Sequence, residues 1–205
     1  MEKIDLKKAH KDLYSAPRGD FIVLRVPPLR YLMIDGYGDP NVELSYKEAV
    51  EALYVASYTL KFMCKESEGR DYVVPPLEGL WWADDLTDFK TRRKDRWSWT
   101  MMIMVPELVG QALAVSAIKK AEAKKGLPAL SKVRVATLDE GIVAQTLHVG
   151  PYDAEGPILH KLHDEFLPAN GYAETGHHHE IYLGDPRKAA PEKLRTILRQ
   201  PIKVL

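Results

Sequence analysis

Only one cysteine, Cys64, occurs in 205 residues, so no disulfide can form within the chain and a reducing compartment is expected. An excess of charge of one sign is also missing, since 29 basic side chains balance 29 acidic ones. A balanced chain lacks a dominant phosphate-binding surface, which argues against nucleic acid as a direct partner. Long apolar runs are absent. The longest, such as Met101–Pro106, are far too short to span a bilayer. The opening Met1-Glu-Lys-Ile-Asp-Leu-Lys-Lys8 has no apolar core of a signal peptide. A cytoplasmic location without membrane contact follows as the expectation. No Gly-x-Ser-x-Gly elbow and no Walker-type phosphate loop occurs, and Gly36-Tyr37-Gly38 is a turn fragment.

What is present is ordinary globular material, 45% hydrophobic and 28% charged, enough to bury a substantial core. Residues 1–20 are charged and carry Pro17 and Gly19, the composition of an arm leading into a fold. Phe21–Val26 and Leu29–Ile34 read as strands on either side of Pro27-Pro28. Ser45 and Glu48 have the spacing of a capping box. Beyond them Val50, Leu53, Tyr54, Ser57, Leu60 and Cys64 recur at helical spacing, predicting a helix to about Lys65. Asp71–Val74 and Trp97–Val105 are the next strands, with a long, partly irregular connection between them. A helix is expected from Pro106-Glu107 to near Gly126.

The same order then returns. Val133–Leu138 and Ile142–Val149 read as strands, followed by the turn at Gly150-Pro-Tyr-Asp153. A helix carries Ile158, Leu159, Leu162 and Phe166 on one stripe. His178–Leu183 is a strand, Pro191–Leu198 a short helix and Ile202–Leu205 a closing strand. The repetition predicts an α+β fold of two similar halves, about 21–105 and 106–205, within one domain 21–205.

Four stretches carry a resemblance. They are Leu32-Met-Ile-Asp-Gly36 with Gly38-Asp-Pro-Asn41, Pro76-Leu-Glu-Gly-Leu-Trp-Trp82, Leu147-His-Val-Gly-Pro-Tyr152, and His178-His-Glu-Ile-Tyr-Leu-Gly-Asp-Pro-Arg187 continuing into Ala190–Pro201. In this order they resemble the GyrI-like small-molecule-binding family. The resemblance implies duplicated β-α-β-β (SHS2-like) units related by a pseudo-two-fold axis, with a ligand cleft between the halves. Its members include drug-sensing domains fused to DNA-binding modules, a gyrase inhibitor, and stand-alone proteins, some of which hydrolyse the cyclopropyl group of DNA-alkylating compounds. Here the resemblance starts near residue 20, which leaves no room for an N-terminal DNA-binding domain. A binder of bulky planar hydrophobic or cationic molecules is therefore expected first. A cofactor-free hydrolase of strained electrophiles is the alternative, and a gyrase-inhibitor-like role toward a protein partner is a further one.

In a strand, Glu180 and Tyr182 share a face with His178. If that face lines a cleft, Glu180 is a partly desolvated carboxylate, able to attract a cation or activate water. In the hydrolase reading Tyr182 polarises a carbonyl. The plain alternative is an exposed strand glutamate opposite a core Ile181. All four tryptophans, Trp81, Trp82, Trp97 and Trp99, fall close together and offer flat faces to a planar ligand. Trp97 and Trp99, at period two, serve equally well as core. Of Trp81 and Trp82, at least one is expected to face the ligand. Tyr37 and Tyr152, in equivalent turns of the halves, are candidates for the rim. Strand alternation parts His178 from His177 and His179, so the triplet makes a poor metal site, and no metal is expected. His160 and His163 read as helix-surface residues.

Overall fold

The computed structural model describes residues 3–85, 87, 88, 91 and 93–205. In chain order the strands are β1 (Lys3–Ile4), β2 (Ile22–Val26), β3 (Leu29–Tyr37), β4 (Asp71–Tyr72), β5 (Leu77–Trp82), β6 (Ser98–Met104), β7 (Arg134–Leu138), β8 (Gly141–Val149), β9 (Tyr172–Glu174), β10 (His178–Tyr182) and β11 (Arg195–Val204). The helices are α1 (Leu6–Ala9), α2 (Leu44–Glu68), α3 (Gln111–Lys125) and α4 (Gly156–His160). The last runs on through a π-helical turn, Lys161–Phe166, into Leu167–Ala169. Among the described residues, no helix is long and apolar enough to cross a membrane.

The chain divides into two compact units that alternate along the sequence. One comprises Met1–Ala9 and Leu29–Leu138, the other His10–Pro28 and Asp139–Leu205. The expected division at 105/106 is therefore redrawn. Pairing is the reason: β7 lies antiparallel on β3, whereas β2 lies antiparallel on β8. Residues 10–18 are not a loose arm either. Gln145 donates to the carbonyls of Asp12 and Ser15 at 2.9 and 3.0 Å, and Leu13 and Tyr14 are buried.

In the first unit an antiparallel sheet has the order β5-β6-β3-β7. Helix α2 buries Ala49, Ala52, Leu53, Ala56, Leu60 and Cys64, a stripe at three- and four-residue spacing. It stops where Gly69 takes the left-handed φ of 63°. The expected capping box does not form. The helix begins at Leu44, after an extended Glu43 without a side-chain cap, so Ser45 lies inside the first turn. Helix α3 likewise starts at Gln111 rather than at Pro106-Glu107, and ends at left-handed Gly126.

In the second unit the order is β2-β8-β11-β10, with β9 on the far end of β11. The π-containing helix lays Leu162 and Leu167 against Ala144 and Ile202, with Phe21 closing the cluster. The expected helix Pro191–Leu198 is replaced by one 3-10 turn, Pro191–Lys193, and then ten residues of strand. Strand β11 is central, flanked by β8 and β10, and is buried from Thr196 to Ile202. Burial on both faces removes polar alternation, and Leu194, Ile197 and Leu198 were left to imitate a helical stripe. Strand β5 was missed because Pro75-Pro76 and Gly79 read as breakers, yet Gly79 sits mid-strand opposite Met101.

Candidate functional site

Strand β10 presents His178, Glu180 and Tyr182 on one face and His179 and Ile181 on the other, as alternation requires. The Tyr182 hydroxyl donates to Glu180 Oε2 at 2.8 Å. The other carboxylate oxygen, Oε1, lies 3.8 Å from His178 Nε2. Glu180's side chain is only 13% exposed, so it is not the solvated strand glutamate of the plain alternative. Tyr152, in the 3-10 turn Tyr152–Ala154, meets Tyr182 edge-to-face with ring centroids 5.6 Å apart. A carboxylate thus sits in a partly buried setting, oriented by a phenol and bordered by a second aromatic ring. Such a group can hold a cation or take a proton from water.

Directly opposite Tyr182 on β11 is Thr196. Its side chain is fully buried, and its hydroxyl has no hydrogen-bond partner among the described residues. Beyond His178 stands His163, from the π turn of α4, with ring centroids 6.4 Å apart. Burial, joined by the nearby His163 and His179, lowers the His178 pKa to about 3, so its imidazole is neutral.

The reverse face of β10 carries an ionic network. His179 Nδ1 lies 2.9 Å from Glu140 Oε1. Arg199, on β11 opposite His179, donates to Glu140 Oε2 at 3.1 Å, to Gln145 Oε1 at 3.0 Å and to the Leu13 carbonyl at 2.7 Å. All four side chains are buried. Desolvation alone would raise the Glu140 pKa, but the charge and hydrogen bonds of His179 and Arg199 outweigh it and hold the carboxyl well below its ordinary range.

The tryptophans belong to the first unit. Trp81 and Trp99 face each other across the β5–β6 pair, both buried. Tyr46 of α2 lies 6.1 Å from Trp81 and 5.2 Å from Trp99. Trp97 packs edge-on against Trp81 at 5.9 Å, with the Lys94 ammonium 5.9 Å from its ring centroid. Trp99 is a core residue, 1% exposed; its indole covers Gly36, where a Cβ would lie 2.0 Å from the ring. Trp82 alternates to the opposite strand face from Trp81 and is half-buried. Tyr37 is 58% exposed at the end of β3.

The sequence matches the GyrI-like small molecule binding domain over residues 20–203. The chain belongs to the GyrI-like family. A conserved protein from Listeria innocua is similar at 41% identity, with 98% of this chain and all of that one covered and a TM-score of 0.86. A hydrolase from Listeria innocua is similar at 40% identity over the same shares, with a TM-score of 0.83. The EcmrR C-terminal domain, at 12% identity over 91% of this chain and 98% of that domain, shares the fold with a TM-score of 0.58. Among the curated proteins there is no match.

Several residues of this GyrI-like domain were not singled out from sequence. Glu140 stood in an apparent turn and Arg199 after an apparent helix, so their pairing was invisible. His163 did carry a signal, since it follows Leu159 by four residues and adjoins buried Leu162. His160 remains a surface residue, paired with Asp164 at 2.7 Å.

Proposed function

We propose that this GyrI-like domain takes up a bulky, largely apolar electrophile and hydrolyses it, with Glu180 as the base that accepts a proton from water. The observation that carries the reading is the Tyr182–Glu180 hydrogen bond of 2.8 Å on a carboxylate mostly withdrawn from solvent. Kinship at 40% identity with a Listeria innocua hydrolase supports it. Because Tyr182 spends its proton on Glu180, its role here is to orient the carboxylate rather than to polarise a distant carbonyl. The two units are read as copies of one β-α-β-β design. In each, a strand, a helix and two further strands give the order first-third-second, β3-β6-β5 and β8-β11-β10.

The test is turnover of a spirocyclopropyl cyclohexadienone, followed by loss of dienone absorbance. Glu180→Gln keeps the shape and removes the basicity, and is expected to slow turnover by roughly 10²–10⁴-fold. Tyr182→Phe is expected to fall between that variant and the wild type. A second reading, a binder without turnover, draws on the carboxylate beside the Tyr152–Tyr182 pair, a setting that suits a flat cation. There, Glu180→Gln weakens a cationic dye and spares a neutral analogue, and neither protein consumes the dienone.

A further inference from the structure

Proton-carrying groups line up behind Glu180 in the second unit. Glu174, at the end of β9, has a side chain 48% exposed, and its Oε1 lies 2.6 Å from His163 Nδ1. The His163 side chain is 20% exposed and its ring is 6.4 Å from that of His178, centroid to centroid. His178, with a side chain 4% exposed, brings Nε2 to 3.8 Å from Glu180 Oε1. Side-chain exposure falls along the series, from 48% at Glu174 through 20% at His163 to 4% at His178, so it runs from solvent toward the candidate site. His163 lies in the π turn Lys161–Phe166, a rare helical form that is frequent at functional sites.

We propose that His163 and His178 form a proton relay between Glu180 and solvent. The inference rests on the hydrolytic reading of Glu180. In that step the water oxygen bonds to the electrophilic carbon, and the bond from that carbon to its leaving group breaks, the leaving group keeping the electron pair. One water proton passes to Glu180, which must release it before the next turnover. His178 accepts it on one ring nitrogen and gives up the proton of the other, so the imidazole is neutral before and after. His163 repeats the exchange, with Nδ1 committed to Glu174 and Nε2 left for His178. The proton then leaves by Glu174. The ring centroids are 6.4 Å apart, so the transfer between the imidazoles calls for a bridging water. The 3.8 Å step to Glu180 is of the kind that tightens when substrate is bound. The neutrality of His178 that burial enforces suits a group that passes protons without storing them.

The test reads the relay apart from turnover. In ¹⁵N-labelled full-length protein, NMR gives the rate at which the His178 ring N–H exchanges with solvent. In His163→Phe that exchange is expected to slow at least about tenfold, below the ~10²–10⁴-fold that a positioned proton-transfer group contributes to catalysis. His163→Gln, a polar side chain that cannot pass a proton through itself, is expected to slow it as well. Backbone spectra that overlay the wild type confirm the fold of both variants. With the dienone as probe, kcat falls in His163→Phe while KM holds, and added free imidazole restores part of kcat. Unchanged His178 exchange in both variants overturns the relay, whatever the turnover. Slowed exchange in a protein that never consumes the dienone keeps the relay and removes the hydrolytic reading.

Discussion

Acidification from pH 6.5 to 4.5 is expected to strip about 2 kcal/mol of folding stability through His178 alone. Its imidazole has an ordinary pKa of 6.5 and one of about 3 in the fold. Burial is the main cause, so the folded protein prefers the neutral ring. Between those values the unfolded chain binds one proton more than the folded one, and stability must fall as pH falls. One proton corresponds to about 1.4 kcal/mol per pH unit once the pH is well below 6.5. Stopping at pH 4.5 keeps the depressed carboxyls out of the window. Glu140, whose own pKa is lowered from 4.5, contributes stability that is present above that value and lost only below it. His177 is shifted downward too, by partial burial, and adds loss of the same sign. Urea unfolding at half-unit pH steps measures the slope, and His178→Gln, which cannot titrate, is the control. A wild type whose stability is flat across the window would refute the reasoning. So would a His178→Gln variant that keeps the full slope.

Arg199→Met should lower stability by about 3–5 kcal/mol, because it leaves the buried Glu140 carboxylate short of a partner. Adding Glu140→Leu and His179→Leu should return most of that loss, and urea midpoints that fail to recover in the triple variant would contradict the account. Gly36→Ala should destabilise by at least about 1–3 kcal/mol, since the new methyl meets the Trp99 ring and a packed core resists extra volume. An unchanged melting temperature would show that the indole has room to move. Thr196→Val should raise stability by about 1–3 kcal/mol, the cost of a buried hydroxyl without a partner. A drop in urea midpoint would mean that the hydroxyl is satisfied in solution.

Local pattern was enough for the long first-unit helix and for several strands, including β6, which is buried from Trp99 to Met104. Helix α2 was legible because its small and apolar residues recur at helical spacing, and β3, β6 and β8 because β-branched and aromatic residues cluster between turn signals. The pattern failed at β11 and β5. Strand β11 is buried on both sides, so its apolar spacing was free to mimic a helix. Strand β5 was hidden by a mid-strand Gly79 that only pairing with Met101 explains. The units themselves were misdrawn for a non-local reason. Strands β2 and β3 are consecutive in the chain, yet β2 pairs with β8 and β3 with β7, and no sequence window contains both partners. At the candidate site, the shared face of Glu180 and Tyr182 followed from strand stereochemistry, whereas their 2.8 Å contact did not. The tryptophans show the limit of proximity in sequence. Trp81 and Trp82 are adjacent and point to opposite faces, and Trp99 is given over to the core.

The two faces of β10 explain why a costly ionic network stands so near the candidate site. Charges removed from water are a poor source of net stability, and apolar residues of similar volume often do as well or better. What the network supplies is direction. His179 and Arg199 face each other across β10 and β11, and both close on Glu140. That closure has few geometries compared with the many ways leucines can pack. Fixing His179 on one side of β10 fixes the register of the next residue, Glu180, on the other, against Leu198. The same Arg199 holds the Leu13 carbonyl, so segment 10–18 is tied to the back of the strand that bears the carboxylate. If this is what the network does, the triple apolar variant should recover stability without recovering function. Its urea midpoint should return toward wild type while Glu180-dependent turnover or cation binding stays reduced, and the Tyr182–Glu180 hydrogen bond, read from the phenol proton by NMR, should weaken. Full recovery of both properties would show that hydrophobic packing positions Glu180 equally well, and that the charges serve no directional role.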